Sequence, residues 1–461
     1  MTATTAIPTP GSPTAGRPQL ILCADGGGSK VQVVIRADDG TEVRAVAGPC
    51  NVQSIGHTTA ANRILQATYG ALAQLGPQYL PPGFVSPLAL LVANGTSPDP
   101  TASPVANGNG AAANGTHTPA TNGTHTPATN GTHAANGSVK LPSLTEPLFQ
   151  QCWIALAGMT TPADATAFTP FVADVLCTDA SRISMTNDVN LLAAPALRLP
   201  GIKHIIAAVC GTGTIGRTIR VGDPAGESEG AKTKTKKTLH LADVGVSRGW
   251  GYMLCDEGSA FWIGRLAIRE LLTQWDREQS CAIYAGGAGP TPPRLPLHTD
   301  LLAYFGVDEP TDLIGIVALM TDFVHGLSVG EASSKRNAYL AGAARVVFKW
   351  AFPEDSDSER EEGALDSELA TRSHERALAI AHEAVKPMVR LMLECLGDRS
   401  VVHPDSTAVT LGGGLMNAPG YRALLLDGLA DAGVVFRDVL LVEDAAGEGA
   451  KALAGVAFGS A

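Results

Sequence analysis

Residues 20–47 read LILCADGGGSKVQVVIRADDGTEVRAVA, in which three apolar runs are separated by two short turns. The runs LILCA, VQVVIRA and EVRAVAG have the composition of strands, and the turns DGGGSK and DDGT are rich in glycine and aspartate. Connections this short join antiparallel neighbours. The stretch therefore predicts a three-stranded antiparallel meander with a glycine-rich turn between its first two strands.

Further strands and helices follow the meander along the chain. Strand-like runs are CWIALAG from Cys152, RISMTND from Arg182, KHIIAAVC from Lys203 and VVFRDVLLV from Val434. Helical periodicity marks residues 59–75, 259–275, 313–330, 336–352, 375–397 and 449–459. These patterns predict an α/β fold with two sheets.

The chain has 461 residues, which is more than one hydrophobic core usually holds, so we expect two domains with a cleft between them. The expected division is a disordered leader at 1–18, an N-terminal domain at 19–195, a C-terminal domain at 196–444 and a C-terminal helix at 445–461 that packs back on the N-terminal domain.

Residues 92–140 form a low-complexity insertion of Asn, Gly, Thr, Pro, Ala and His in which TNGTHTPA recurs every eight residues. Because so few of its side chains are apolar, we expect this tract to be disordered. Glycosylation at its NGT and NGS sequons and metal capture by its histidines are weaker alternatives. Shorter insertions, at 222–238 and 353–370, are expected to be surface loops.

Composition excludes several classes of function. The net charge of −11 argues against nucleic acid as a partner, and no apolar stretch is long enough for a membrane span. The eight cysteines have neither zinc-finger nor disulfide-framework spacing. The N-terminus lacks an apolar signal core, so the cytoplasm is the expected location, with a homodimer left open.

The glycine turn at Asp25–Lys30, DGGGSK, is the first candidate site. Gly27, Gly28, Ser29 and Lys30 can surround a phosphate with backbone N–H groups and a hydroxyl, and Asp25 can hold Mg²⁺ directly or through water. A strand follows the turn, whereas a Walker A loop opens a helix. Taken alone, a plain hairpin turn explains the same residues equally well.

A second glycine turn, Gly211-Thr212-Gly213-Thr214, follows the strand KHIIAAVC. With Gly216 it spells G-x-G-x-x-G, but a dinucleotide site requires a helix after the motif. The next residues, TIGRTIRV, alternate as a strand does. A second hairpin phosphate loop is therefore the better interpretation.

Two further features complete the set. Gly412-Gly413-Gly414 lies between the strand TAVTL and a helical run, where a ligand such as an adenosine or its α-phosphate can lie against the backbone. Asp188, in TNDVN, comes just after a strand and can act as a general base. A helix N-cap is the simpler role for such an aspartate.

The order of these four features resembles that of the actin, hexokinase and heat-shock chaperone ATPase superfamily. Within it, residues 249–263, GWGYMLCDEGSAFWI, closely resemble a segment of N-acetylglucosamine kinases and their BadF/BcrA-type ATPase relatives. The resemblance covers residues 19–91 and 141–460. It implies two actin/hexokinase-like, ribonuclease H-like domains with an interdomain active-site cleft.

The resemblance also implies ATP and Mg²⁺ as cofactors, and phosphorylation of an amino sugar, N-acetylglucosamine above all, on its 6-hydroxyl. Its phosphate contacts would be Ser29 and Thr212, Asp188 the catalytic base, and Gly412–Gly414 the adenosine motif, with Ala332 near the adenine. The sugar positions would be Asn51, Asp188, Gly249, Trp250, Gly251 and Asp256. Arg248 and Cys255 depart from the family, each standing where glycine is frequent.

Two other functions stay open. Some relatives are ATPases that activate a radical dehydratase or reductase, but they hold a [4Fe-4S] cluster through cysteines, and no clustered pair is evident here. The other hypothesis is a catalytically silent sugar sensor, and the presence of Asp25, Asp188 and Thr212 argues mildly against it.

Overall fold

The computed structural model describes residues 16–28, 30–87, 141–222, 241–284, 294–319, 329–355 and 368–459. Ser29, the insertion predicted at 92–140, and most of the leader and of the two shorter insertions lie outside these ranges. Within them, none of the helices combines the length and apolarity that a membrane span requires.

The first sheet has five strands in the order β3-β2-β1-β4-β5. Its members are β1 (Leu20–Gly26), β2 (Val31–Ala37), β3 (Glu42–Ala47), β4 (Phe149–Leu156) and β5 (Ile183–Thr186). The first three pair antiparallel, and the Gly26↔Val31 pair closes the first turn. The predicted meander is confirmed.

Three helices accompany the first sheet within the described residues: α1 (Val52–Ile55), α2 (His57–Leu72) and α3 (Pro162–Val175). α2 packs on β2 and β3 through a buried apolar stripe that includes Ile64 and Leu65. α3 begins with a capping box between Thr161 and Asp164, which satisfies its first backbone N–H groups.

The second sheet also has five strands, in the order β10-β9-β6-β7-β8. They are β6 (His204–Cys210), β7 (Thr214–Val221), β8 (Leu241–Arg248), β9 (Thr407–Gly412) and β10 (Asp438–Leu441). β6, β7 and β8 form a second antiparallel meander, while β9 and β10 extend the sheet in parallel. The predicted α/β fold with two sheets is thus confirmed, and both sheets have the same strand order.

Eight helices of the described residues belong with the second sheet: α4 (Ala260–Tyr284), α5 (Pro296–Phe305), α6 (Asp312–Leu319), α7 (Val329–Gly342), α8 (Ala344–Ala351), α9 (Glu368–Leu396), α10 (Pro419–Asp431) and α11 (Ala445–Phe458). The run at 336–352, predicted as one helix, is divided between α7 and α8. A side chain at Gly342 would collide with the hydroxyl of Tyr304, so glycine at the break allows the two helices to approach α5 closely.

Both faces of the second sheet are buried at β6, which explains the unbroken apolar run of that strand. Ile206 and Ala208 face the helical cluster, and Ile205 and Ala207 face a smaller cluster with the 3-10 segment Asp188–Arg198. α11 packs on that segment. By internal contacts, the described residues up to Cys152 and Leu156–Ile183 form one compact unit, and Trp153–Ala155 with those from Ser184 onward form another.

Candidate active site

The first glycine loop is held by backbone hydrogen bonds. Gly27 N–H donates to the carbonyl of Lys30 at 2.8 Å, and Cys50 N–H donates to the carbonyl of Gly27 at 2.9 Å. Gly28 and Lys30 are exposed, and Asp25 is half-buried at the end of β1. The loop therefore offers its outer residues to a ligand while its base is fixed to the following segment.

Asn51 lies close to this loop in the same unit. Its Oδ1 caps α1 by accepting from Gln53 N–H at 3.1 Å, and a side chain at Gly158 would come within 2.6 Å of that oxygen. Ala157 N–H donates to the carbonyl of Gly26 at 2.7 Å, which ties the Gly158 turn to the glycine loop. The amide nitrogen of Asn51 is the part of its side chain suited to binding a ligand oxygen.

The second glycine loop joins β6 to β7, and Gly211 N–H donates to the carbonyl of Gly213 at 3.0 Å. Thr214 connects the loop to the segment of predicted sugar-binding residues. Its hydroxyl donates to the carbonyl of Glu257 at 2.8 Å, and its carbonyl accepts from Gly249 N–H at 2.9 Å. Thr212 is exposed at the tip of the loop.

The carboxylate of Asp256 lies against this second loop. Asp256 Oδ1 is 3.4 Å from the backbone nitrogen of Thr214, and a Cβ added at Gly213 would lie 2.7 Å from Oδ2. Burial raises the pKa of Asp256, and N–H groups of Thr214 and Gly251 oppose that shift. Two separate sequence motifs, one predicted for phosphate and one for sugar, thus meet at this carboxylate.

The glycine triplet, at the end of β9, lies beside the end of β6, where the second glycine loop begins. Gly412 pairs with Val209 on β6, and a side chain at Gly413 would come within 2.5 Å of the carbonyl oxygen of Cys210. The expectation that the triplet opens a helix needs correction. A single 3-10 turn, Gly414–Asn417, comes first, and α10 begins only at Pro419, whose fixed φ suits a first helical position.

The segment after β8 exposes large apolar side chains, with Trp250, Met253 and Leu254 each at least two-thirds exposed. The guanidinium of Arg248 lies over the ring of Trp250 at 5.5 Å. Cys255 has a φ of +83°, which is a conformation that glycine adopts without steric cost. Trp262 packs against the helical core.

Asp188 is the first residue of the 3-10 segment that follows β5. The N-cap of this segment is its neighbour Asn187, whose side chain accepts from Val189 N–H at 3.2 Å, so the capping role weighed for Asp188 belongs to Asn187. Asp188 Oδ1 also accepts from Val189 N–H, at 3.1 Å. Burial raises the pKa of Asp188, opposed by these backbone N–H groups and by the positive charge of Arg217.

Three polar residues near Asp188 were not predicted from the sequence. Arg217 on β7 contacts Asp243 on β8, and Asn190 Nδ2 donates to Asp243 Oδ1 at 2.8 Å. Charged residues at diagonal positions on neighbouring strands are a recognisable signal. Here the pairing of β7 with β8 was hidden by the insertion that separates them in the sequence.

The candidate residues fall into two groups. Asp25, the loop around Gly27 and Asn51 belong to the first unit; Asp188, the second loop, Asp256 and the glycine triplet belong to the second. Ala332 lies in α7.

The residues present fit a nucleotide bound with Mg²⁺. A Cβ at Gly28, Gly211 or Gly414 would meet nothing within 4 Å, so each of these glycines leaves space beside the backbone for a ligand. Among the described residues, no group of three His, Cys, Asp or Glu could hold a metal ion by itself. A single carboxylate ligand, as Asp25 would supply, suits Mg²⁺, which commonly keeps waters and binds through substrate phosphates.

No protein-family model and no curated protein match this sequence. Solved structures do. A protein from Porphyromonas gingivalis provisionally named N-acetylglucosamine kinase is 16% identical, with a TM-score of 0.49, and the match covers 95% of this chain and 98% of that one.

A second protein with the same provisional name, from Chromobacterium violaceum, is 16% identical with a TM-score of 0.45, over 94% of this chain and 99% of that one. A Schistosoma mansoni hexokinase complexed with glucose is 12% identical with a TM-score of 0.38, over 96% and 86%. At this level of similarity the matches do not identify a substrate for this chain.

Proposed function

We propose that this protein is an ATP-dependent sugar kinase that phosphorylates an amino sugar, N-acetylglucosamine first among the candidates, on its 6-hydroxyl. The observation that carries the proposal is the meeting of Asp256 with the second glycine loop. A carboxylate able to bind sugar hydroxyls there lies against Gly213 and Thr214, where a phosphate would be held. The resemblance of residues 249–263 to N-acetylglucosamine kinases supports the choice of sugar.

In the proposed reaction, the two glycine loops bind the phosphates through backbone N–H groups, and Asn51, Asp256 and the Gly249–Gly251 segment bind the sugar. Asp188 accepts the proton of the 6-hydroxyl as its oxygen attacks the γ-phosphorus, and ADP leaves. When bound at Asp25, directly or through water, Mg²⁺ would neutralise charge on the phosphates. Most of the catalysis on this account is positioning and charge stabilisation.

The reaction is tested by measuring ADP release with N-acetylglucosamine, glucosamine, N-acetylmannosamine and glucose in parallel. The proposal predicts sugar-dependent ADP release that is greatest with N-acetylglucosamine, and a phosphate on its 6-oxygen by NMR. ATP hydrolysis that no sugar accelerates would argue for an ATPase, and tight sugar binding without ADP release would argue for a sensor.

The role of Asp188 is tested by Asp188→Asn, which keeps the shape of the side chain but cannot accept the proton. We expect kcat to fall by about 10² to 10⁴ while the KM for ATP stays within about threefold. Asp431→Asn, an exposed change at the end of α10, is the matched control and should leave kcat unchanged. Near-normal turnover in Asp188→Asn would show that Asp188 is not the general base.

A further inference from the structure

Arg217 is an unusual residue for the interior of a β-sheet. It lies on β7 with only 4% of its surface exposed, and its charge cannot be removed by deprotonation at any physiological pH. Its Nη1 donates to Asp243 Oδ2, but Nε and Nη2 are buried without a hydrogen-bond partner. A buried guanidinium with two unused donors is costly, and such groups call for an explanation.

Asp243 connects this arginine to the segment that carries Asp188. One carboxylate oxygen of Asp243 contacts Arg217, and the other accepts from Asn190 Nδ2 at 2.8 Å. Asn190 is 3% exposed and stands two residues after Asp188 in the same 3-10 segment. The buried charge on β7 is thereby fixed relative to the start of that segment.

We propose that Arg217, anchored by Asp243, is a positioning residue for Asp188: it sets a buried positive charge near the carboxyl that takes the proton from the sugar. The inference rests on the proposed function, because it assigns a partner to the proposed base. It gives a role to an arginine that is buried inside the sheet with donors unpaired. Burial favours the protonated form of a carboxyl, and a nearby positive charge favours the ionised form that accepts a proton.

The electrostatics agree with this arrangement. Burial is the largest influence on the pKa of Asp188 and raises it, while the charge of Arg217 lowers it. The described elements that pack against residues 188–198 carry other ionisable groups: His204 on β6, Arg217 and Arg220 on β7, Asp243 on β8, and Asp444, Glu448 and Lys451 at or in α11. Glu448 pairs with Arg198, ten residues beyond Asp188.

The test is the pH profile of kcat/KM, whose acid limb reports the pKa of the base in the free enzyme. Arg217→Met removes the positive charge and keeps much of the length. Because the neutral form of Asp188 is then favoured, the acid limb should move up by about one pH unit, a roughly tenfold loss on that limb. Asp243→Asn removes the charge that neutralises Arg217, so the limb should move in the opposite direction.

Arg220→Met is the matched control, since Arg220 lies on the same strand three residues away and contacts neither Asp243 nor Asn190 in the described structure. Its acid limb should coincide with that of the unchanged protein. Arg217→Lys retains the charge and should keep the limb within about 0.3 units.

Opposite shifts in Arg217→Met and Asp243→Asn support the positioning role, because a purely structural loss lowers activity at every pH. If folded Arg217→Met and Asp243→Asn both keep the original limb, the inference is wrong even where kcat falls. Should Arg217→Met fail to fold by circular dichroism, Asp243→Asn decides alone: a limb moved to lower pH supports the inference, and an unchanged limb overturns it. Full activity in Asp188→Asn would instead refute the proposed base, which is a separate result.

Discussion

Replacing Gly213 by alanine tests whether the carboxylate of Asp256 is used where the structure holds it. The new Cβ would lie 2.7 Å from Asp256 Oδ2, about 0.7 Å inside the 3.4 Å at which ordinary contact begins. The backbone of Asp256 is fixed by its N–H bond to the carbonyl of Gly251 at 3.0 Å, so the side chain must turn away. A hydrogen bond from a sugar hydroxyl to this ionised group contributes about 1.5–3 kcal/mol.

Loss of that bond corresponds to a rise of about 10- to 100-fold in the KM for sugar. The measurement is ADP release with sugar varied at saturating ATP, then ATP varied at saturating sugar. Gly211→Ala is the matched control: it lies in the same loop, but its Cβ would meet nothing within 4 Å. We expect Gly211→Ala to keep the sugar KM within about twofold.

Asp256→Asn supplies the reference for complete loss of the charge. If Gly213→Ala keeps its sugar KM while Asp256→Asn raises it, the geometric reasoning about the carboxylate is wrong. If neither variant changes the sugar KM, Asp256 does not bind the sugar.

Three further predictions concern stability, measured by urea unfolding. His298 is 3% exposed, and burial lowers its pKa from 6.5 to about 4. As pH falls below 6.5, the unfolded state binds a proton at this imidazole and the folded state does not, so the free energy of unfolding should drop by about 2 kcal/mol between pH 7 and pH 5. His298→Leu should remove most of that drop. Cys255→Gly should stabilise the protein by about 0.5–1 kcal/mol, because glycine adopts the φ of +83° without strain. Cys281→Gly, in the helix α4, should destabilise the protein. Equal effects of the two substitutions would contradict this reasoning. Gly413→Ala should lower the free energy of unfolding by at least about 2 kcal/mol, because its Cβ would meet a backbone carbonyl at 2.5 Å and its φ is +91°. Gly433→Ala has a similar φ but open space around the Cβ, and should lower the free energy of unfolding by about 1 kcal/mol.

Local patterns predicted most of the strands and the two hairpin loops. The runs flanking Gly27 and Gly213 are short, strongly apolar and separated by turn residues, so pairing with the next strand is the simplest outcome. The helix breaks were harder to predict. The last residue of α7, Gly342, lies so close to Tyr304 that a side chain there would collide with it, and this neighbour is distant in sequence and leaves no mark on the helical period.

The candidate site divides in the same way. The glycine motifs and Asp188 were recognisable because their residue types are unusual and their order is distinctive. The network of Arg217, Asp243 and Asn190 depends on strand register, and a β-bulge between Thr218 and Ile219 shifts that register. Such a shift follows from tertiary packing, so side-chain alternation alone does not reveal it.

The shared strand order has a consequence for how this chain can change. In each sheet a long connection joins the third strand to the fourth in chain order: residues 48–148 join β3 to β4, and residues 249–406 join β8 to β9. β8 and β9 both run parallel to β6 and are separated by β6 and β7, so the connection from β8 to β9 must cross over the sheet, and the entropy cost of lengthening it grows slowly. Evolution can therefore lengthen either crossover while the strands and their glycine loops stay in place.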